Sequence, residues 1–121
     1  MEGDDRMERE KEIEKKLKAA VEKEGGLCFK FLSSVAGVPD RICLFDGGVI
    51  VFVELKAPGR KPRKLQEVQI KKLRNLGFRV EVIDSEKGIG ELIWSVRMKK
   101  GEEGGRRKDT EYQNLKRGEG K

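Results

Sequence analysis

The sequence predicts an α/β domain in which a mixed central β-sheet is flanked by helices, with the element order αβββαβα. Three observations support this fold class. Apolar residues recur at helical spacing in three segments that each end near a glycine. Four short apolar runs with strand-like composition lie between these segments. A strand, a helix and a strand follow one another between residues 49 and 83, and that order favours a right-handed parallel crossover.

The first helix is predicted over residues 4–24, where apolar side chains recur among alternating Glu and Lys and the pair Gly25-Gly26 ends the pattern. Its apolar positions are Met7, Ile13, Leu17, Ala20 and Val21. Residues 27–32 are predicted as the first strand. Residues 33–39 are predicted as a loop, because Pro39 disfavours a further helix.

A hairpin is predicted next, with strands at residues 40–45 and 49–56 joined by Asp46-Gly47-Gly48. The third strand is apolar on both faces until Glu54, which predicts a central strand covered on both sides. Its charged residues follow at the carboxyl end, where open α/β sheets place their ligands.

The remaining elements are a loop at residues 57–62, a helix over 63–76 stopped by Gly77, and a fourth strand at 78–83. Ser85 is a candidate cap for a last helix from residue 86 to about residue 99. The buried stripe of that helix is predicted to be Ile89, Leu92, Ile93 and Val96. Residues 1–100 are therefore predicted to form one domain, and residues 101–121 a disordered charged tail.

Composition excludes several kinds of chemistry. The 121 residues include no histidine, which excludes histidine general bases and Ser-His or Cys-His nucleophiles. Cys28 and Cys43 lie in apolar runs without a CxxC pair, so we expect buried reduced thiols and no zinc site. No apolar run is long enough to span a membrane and the N-terminus lacks the pattern of a secretion signal, so we expect a cytoplasmic protein without a membrane partner.

The net charge of +6 is concentrated in one window of the chain. Between Lys56 and Arg79 there are nine basic residues and one acid, which gives +8, whereas the rest of the chain sums to −2. A local basic surface of this kind attracts phosphate backbones by ion pairing and counterion release. A solvated helix face is the alternative explanation, but the closeness of the window to Glu54 favours nucleic acid.

Two acids and a lysine occupy the ends of the predicted hairpin. Asp40 precedes Glu54 by fourteen residues, and Lys56 lies two residues beyond Glu54 on the same face of any strand that contains both. Carboxylate oxygens are the ligands that Mg²⁺ or Mn²⁺ accepts. Glu54 also ends an apolar run, where an acid without a partner is costly to bury. The pattern indicates a metal-dependent phosphodiesterase.

The motifs around these residues resemble the VRR-NUC domain family of the PD-(D/E)XK nuclease superfamily, in its stand-alone phage or bacterial form. The resemblance covers residues 10–93. Its segments are Glu10-Lys11-Glu12-Ile13-Glu14, Gly37-Val38-Pro39-Asp40-Arg41, Val53-Glu54-Leu55-Lys56-Ala57-Pro58-Gly59, and Leu65-Gln66 with Gly77 eleven residues after the glutamine. The resemblance implies a restriction-endonuclease-like core.

It also implies roles for individual residues. Asp40, Glu54 and the main-chain carbonyl of Leu55 would ligate Mg²⁺ or Mn²⁺, and Lys56 would position or deprotonate the attacking water. Gln66 would orient Lys56 or contact a phosphate, with Gln69 as the competing candidate.

The acid of the first helix is most simply Glu10, bound to the metal directly or through water, and Glu14 is its rival one turn later. Arg41 is either a phosphate clamp or the ion-pair partner of a sheet neighbour. The candidates for DNA contact are Arg41, Arg60, Lys61, Arg63, Lys64, Lys71, Lys72 and Arg74.

These observations lead to the prediction of a divalent-metal-dependent, structure-selective DNA endonuclease that needs no organic cofactor. The resemblance implies a homodimer and a branched substrate such as a Holliday junction, with duplex DNA as the alternative. Trp94 and Met98 are candidate interface residues. Two other functions stay open: a catalytically silent DNA-binding module of the same fold, and a small basic domain that binds RNA or protein.

Overall fold

The computed structural model describes residues 2–104, with side-chain surroundings described for residues 9–99. The elements are α1 (Glu2–Lys23), β1 (Leu27–Lys30), β2 (Arg41–Phe45), β3 (Val49–Leu55), α2 (Lys64–Asn75), β4 (Arg79–Ile83) and α3 (Glu86–Gly104). The predicted order αβββαβα is confirmed. None of the helices in this described part is both long and apolar enough to cross a membrane.

The four strands form one mixed sheet in the order β1-β2-β3-β4. β1 pairs with β2 and β2 with β3 in antiparallel fashion, whereas β3 and β4 are parallel. The predicted hairpin and the predicted parallel crossover are therefore both present. The hairpin turn requires glycine, because Gly47 and Gly48 have φ values of 83° and 76° that other residues rarely adopt.

One face of the sheet is closed by α1 and α3. Val51, Val53 and Leu55 alternate along β3 on this face and are almost fully buried. Helix α1 packs Ile13, Leu17 and Val21 onto them, and α3 adds the predicted stripe of Ile89, Leu92, Ile93 and Val96. Each such side chain stabilises the fold by about 1.5–3 kcal/mol on burial, so this face provides most of the hydrophobic stabilisation. We call it the closed face.

The opposite face is only partly covered, and here the prediction that β3 is covered on both sides is wrong. Helix α2 packs mainly against β4 and contributes a single buried residue, Ile70. Ile50 remains 41% exposed, and Phe52 is half-buried with its ring edge against Phe78 at a centroid distance of 5.8 Å. A helix of 12 residues is too small to cover four strands. We call this the open face.

Most element boundaries lie within one residue of the predicted ones, and the larger differences are at the start of α1, the end of β1 and the end of α3. β1 ends at Lys30, two residues before its predicted end, and the chain leaves the sheet after the amide of Phe31, which still donates to the carbonyl of Asp40 at 2.7 Å. Helix α3 continues to Gly104, five residues past its predicted end, because Gly101 alone does not stop it. The first four residues of the predicted tail are therefore helical, and residues 105–121 lie outside the described part of the chain.

Candidate active site

The strand register brings the two predicted carboxylates together. Arg41 pairs with Val53 across β2 and β3, so Asp40, which immediately precedes Arg41, lies opposite Glu54. Glu54 is only 5% exposed. Its pKa is raised from 4.5 to about 7, mainly by burial and then by the negative charges of Asp40 and, more weakly, Glu10, while Lys56 opposes the shift. The geometry therefore holds an acid in a place that disfavours its charged form.

The side chain of Asp40 is the second indication that the site lacks a ligand. Its Oδ2 accepts an ion-paired contact from Nη1 of Arg41 at 3.1 Å. Its Oδ1 is buried and, within the described part of the molecule, has no hydrogen-bond partner. A buried carboxylate oxygen without a partner costs free energy, about 1–3 kcal/mol or more. Such an atom is suited to accept a cation or a donor from outside the chain.

Lys56 lies beside Glu54 at the end of β3, as predicted. Its Nζ is 3.6 Å from Oε2 of Glu54, and its side chain is 13% exposed. The position is fixed by the backbone, because the amide of Lys56 donates to the carbonyl of Ile83 on β4 at 2.9 Å. The amine therefore stands next to the Glu54 carboxylate and is mostly buried.

Gln66 reaches the site from the start of α2, but its partner differs from the prediction. Its Nε2 donates to Oε2 of Glu54 at 3.1 Å, and its Oε1 accepts the amide of Arg63 at 2.9 Å. The side chain thus links the first turn of α2 to Glu54 and has no described contact with Lys56, and its contact with a phosphate stays a prediction. Gln69, the competing candidate, has no described contact with the site.

The loop before Asp40 is held against the same end of α2. Gly37 has φ +87°, and a Cβ at this position would stand 2.6 Å from the carbonyl oxygen of Leu65. No side chain fits there, so glycine is needed for the loop to approach the helix. The close approach holds the loop before Asp40 against the helix whose Gln66 contacts Glu54.

The two acids of α1 have different surroundings. Glu14 pairs with Nη2 of Arg41. Glu10 is half-buried, and its charge is among those that raise the pKa of Glu54. The structure therefore places Glu10 within electrostatic reach of the site and engages Glu14 elsewhere.

Arg41 departs from its prediction as a DNA contact. Its guanidinium is on the closed face, 6% exposed, and is shared between Glu14 and Asp40. The structure contains an ion pair, as the alternative prediction proposed, but the partners are Glu14 of α1 and the preceding residue Asp40 and not a neighbour in the sheet. A signal for this was present in the sequence: Arg41 alternates with Cys43 and Phe45 along β2, so it had to face the same way as those apolar residues.

The other predicted DNA contacts lie on the surface. Arg60, Lys61, Arg63, Lys64, Lys71 and Lys72 are exposed, and none of them forms an ion pair within residues 9–99. Arg74 is exposed as well, but its Nε and Nη2 both donate to the carbonyl of Val80, at 3.3 and 2.7 Å. That contact joins α2 to β4 and leaves fewer of its donors for a phosphate.

The residues of this site fit a metal ion, although they do not provide a complete set of ligands by themselves. Among the described side chains, no three or more acids or cysteines are grouped closely enough to form a ready cage. The unpartnered Oδ1 of Asp40 and the raised pKa of Glu54 are nevertheless the features that a divalent cation would relieve. Leu55 is the last residue of β3 and directly follows Glu54, so its main-chain carbonyl lies next to that residue in the chain.

A phage protein and a solved structure are both similar to this chain. No family model matches the chain. A phage protein named "Putative nuclease p44", from Acyrthosiphon pisum secondary endosymbiont phage 1, is 46% identical over 82 residues, which are 67% of this chain and 88% of the phage protein. A solved structure named "VRR_NUC domain" is 33% identical with a TM-score of 0.67, and the match covers 70% of this chain and 94% of the other. The mixed four-stranded sheet with three helices is thus shared with that structure, and the predicted restriction-endonuclease-like core is confirmed.

Proposed function

The chain belongs to the VRR-NUC family and is a nuclease, and from this premise we propose that it is a divalent-metal-dependent endonuclease that hydrolyses phosphodiester bonds in branched DNA. The observation that carries the proposal is the arrangement at the end of β3. Asp40 and Glu54 face each other, one with an unpartnered buried oxygen and the other with a pKa of about 7, and Lys56 stands 3.6 Å from Glu54. This is a polar site that binding of substrate and cation would complete.

Mg²⁺ or Mn²⁺ would be held by Asp40, Glu54 and the main-chain carbonyl of Leu55, with Glu10 as a further ligand directly or through water. Hard cations of this type take oxygen ligands. When bound, such a cation lowers the pKa of water and neutralises charge on the phosphate oxygens. The electrostatic support is that Asp40 and Glu10 both raise the pKa of Glu54, so the site holds an excess of negative charge.

Lys56 and Gln66 supply the other groups of the proposed site. The Lys56 amine positions or deprotonates the attacking water and offsets negative charge on the phosphorane, because it is nearly buried beside Glu54. Gln66 keeps Oε2 of Glu54 in place through its bond at 3.1 Å. Preorganised groups of this kind stabilise a transition state without reorganising during the reaction.

The exposed basic residues near the start of α2 form the proposed track for the DNA backbone. Arg60, Lys61, Arg63 and Lys64 lie between the end of β3 and the first turn of α2, the same turn whose Gln66 contacts Glu54. A phosphate attracted to this surface therefore lies near the carboxylates. Binding should weaken steeply with added salt, as expected when lysine and arginine displace condensed counterions.

A branched substrate is supported by the loop at residues 31–39. The amide of Phe31 bonds to the carbonyl of Asp40, so the loop begins and ends beside the site. Leu32 is 82% exposed and Val35 is 53% exposed. Exposed apolar side chains on a loop beside the site can contact bases that a junction has unstacked, which are hidden in a continuous duplex.

We include a homodimer in the proposal, because paired cuts across a junction need two sites related by two-fold symmetry. Exposed apolar residues are available for it on the open face (Leu27, Phe29 and Ile50) and on α3 (Trp94 and Met98). The expected place of action is the cytoplasm of the host cell.

The catalytically silent DNA-binding module remains the second candidate, since the described side chains hold no ready group of three acids. Labelled four-way junction and linear duplex, each incubated with the protein and Mg²⁺, Mn²⁺ or EDTA, separate the two functions. We expect cleavage that requires the cation and favours the junction. Tight binding with no cleavage at any cation concentration would make the protein a binder, and equal cutting of both substrates would remove the preference for branched DNA.

A further inference from the structure

Two cysteines stand directly opposite each other on neighbouring strands. Cys28 of β1 pairs with Cys43 of β2, and their sulfur atoms are 3.8 Å apart. Both side chains project from the closed face, where Cys43 is fully buried and Cys28 is partly buried against the core. Both are free thiols.

From this geometry we propose that Cys28 and Cys43 are a redox-active pair, which a small disulfide such as oxidised glutathione converts into a disulfide bond within the chain. Cα atoms of directly opposed residues in an antiparallel pair are about 4.5–5.5 Å apart. Disulfides span Cα separations of about 4.4–6.8 Å. The bond therefore forms by rotation of the two side chains, without separation of the strands.

The two thiols are unequal, and the difference assigns their order of reaction. The Cys43 thiol donates a hydrogen bond to Cys28, which lowers the pKa of Cys28, and the positive charge of Arg41 lowers it further. Donation of the same proton, together with burial, raises the pKa of Cys43. Cys28 also lies on the edge strand with part of its surface open to solvent. It is the thiol that an oxidant reaches first.

The reaction is a double thiol–disulfide exchange. The Cys28 thiolate attacks one sulfur of glutathione disulfide, so a Cys28–glutathione bond forms and one glutathione thiolate leaves. Cys43 then gives up its proton and attacks the sulfur of Cys28, and the second glutathione leaves as a thiolate. The two cysteines are oxidised, the glutathione disulfide is reduced to two thiols, and the two protons lost by the cysteines are taken up by the glutathiones.

The bond would enclose the segment that carries Asp40. Residues 29–42 lie between the two cysteines and include the end of β1, the loop beside the site and the first residues of β2. Closing a loop of about fifteen residues removes freedom chiefly from the unfolded chain. We expect the oxidised protein to melt roughly 10 °C above the reduced protein.

The test uses the full chain, fully reduced and then treated with oxidised glutathione. Intact mass should fall by two hydrogens, alkylation should find no free thiol, and dithiothreitol should reverse both changes. In Cys43→Ala the glutathione adduct on Cys28 should accumulate, because nothing resolves it. In Cys28→Ser the buried Cys43 should stay unmodified, and oxidant should leave the melting temperature unchanged.

Three results would overturn the proposal. These are a lasting glutathione adduct on Cys28 of the unsubstituted protein, two thiols that remain free, or a disulfide between two chains in place of one within a chain. Cys28→Ser alters a partly exposed position on an edge strand and is expected to fold even if Cys43→Ala does not. Mass and melting temperature are independent of DNA cleavage, so these outcomes do not depend on the proposed nuclease mechanism.

Discussion

The buried charged residues on the two faces of the sheet have opposite surroundings. On the closed face, Arg41 is buried but fully engaged by Glu14 and Asp40, among apolar side chains that complete the core. On the open face, Glu54 is buried to the same degree, yet its pKa is raised to about 7 and the oxygen Oδ1 of its neighbour Asp40 has no described partner. The buried charge on the closed face thus has its polar partners within the chain. The carboxylates on the open face lack some of theirs, at the place where a ligand is expected. Substitutions on the two faces should therefore have different kinds of effect.

The largest effect should come from Lys56→Ala on the open face. We expect DNA cleavage to fall by a factor of about 10²–10⁴, because the amine that handles the attacking water is lost. The affinity for DNA should change much less than turnover, and urea unfolding, measured alongside, reports any loss of stability caused by removing the ion-pair partner of buried Glu54. Lys87→Ala, an exposed lysine at the start of α3, is the matched control. Unchanged turnover in Lys56→Ala would remove this residue from the mechanism.

On the closed face, Arg41→Gln should act through stability. It removes the partner of Glu14 and one partner of Asp40, and we expect a loss of about 2–3 kcal/mol in the free energy of unfolding measured with urea. The partial exposure of Glu14 keeps this below the cost of a fully buried orphan charge. Arg97→Gln breaks an exposed pair with Glu24 and should have little effect. Equal losses in the two variants would show that Arg41 is not buried as described.

The stability of the protein should depend on pH through Glu54 on the open face. Glu54 has a pKa of 4.5 when unfolded and about 7 when folded, so the folded protein holds the extra proton between these values. Stability from this group is therefore present at low pH and is lost as pH rises through about 7, by at most about 3 kcal/mol.

Urea unfolding in EDTA at several pH values measures this slope, which should flatten in Glu54→Gln but persist in the exposed control Glu67→Gln. The same slope in both variants would refute the assignment. Added Mn²⁺ should stabilise the unsubstituted protein most at the upper end of the pH range, where Glu54 is charged.

The smallest effect is expected in the loop beside the site. The double change Leu32→Ala and Val35→Ala should weaken binding to a four-way junction by roughly tenfold, the equivalent of about 1.4 kcal/mol, and binding to duplex by less. Leu76→Ala is a matched control, because this leucine is 75% exposed at the far end of α2. Measurement in a Lys56→Ala background avoids cleavage during the titration. If the loop variant loses self-association but keeps its preference for the junction, these residues contact a second copy of the chain.

Much of the fold was predictable because it follows from local patterns. The periodic apolar residues of α1 and α3, the glycines that end α1 and α2, and the apolar runs of β2 and β3 are all visible in the sequence. Local patterns do not show how much of the sheet a given helix covers. The open face of β3 was therefore missed: Ile50 and Phe52 indicated a covered strand, whereas α2 reaches mainly β4.

Some features of the candidate site were also predictable from the sequence, and others were not. Asp40, Glu54 and Lys56 were identifiable from their residue types and spacing, and the structure brings them together. The partner of Gln66, the pairing of Glu14 with Arg41 and the contact between the two cysteines depend on atoms far apart in the chain. No spacing rule in the sequence separates Glu10 from Glu14, since both lie on nearly the same side of one helix.

The element order, the fold class and the three residues that define the candidate chemistry follow from period, composition and short motifs, so they could be read from the chain alone. Which buried charges have partners and which do not became visible only in the folded molecule. Burial and partnership are properties of side chains from several elements at once. Arg41 and Glu54 lie on adjacent strands and are equally buried. One is neutralised by a helix on its face, and the other faces a helix that reaches it only through Gln66.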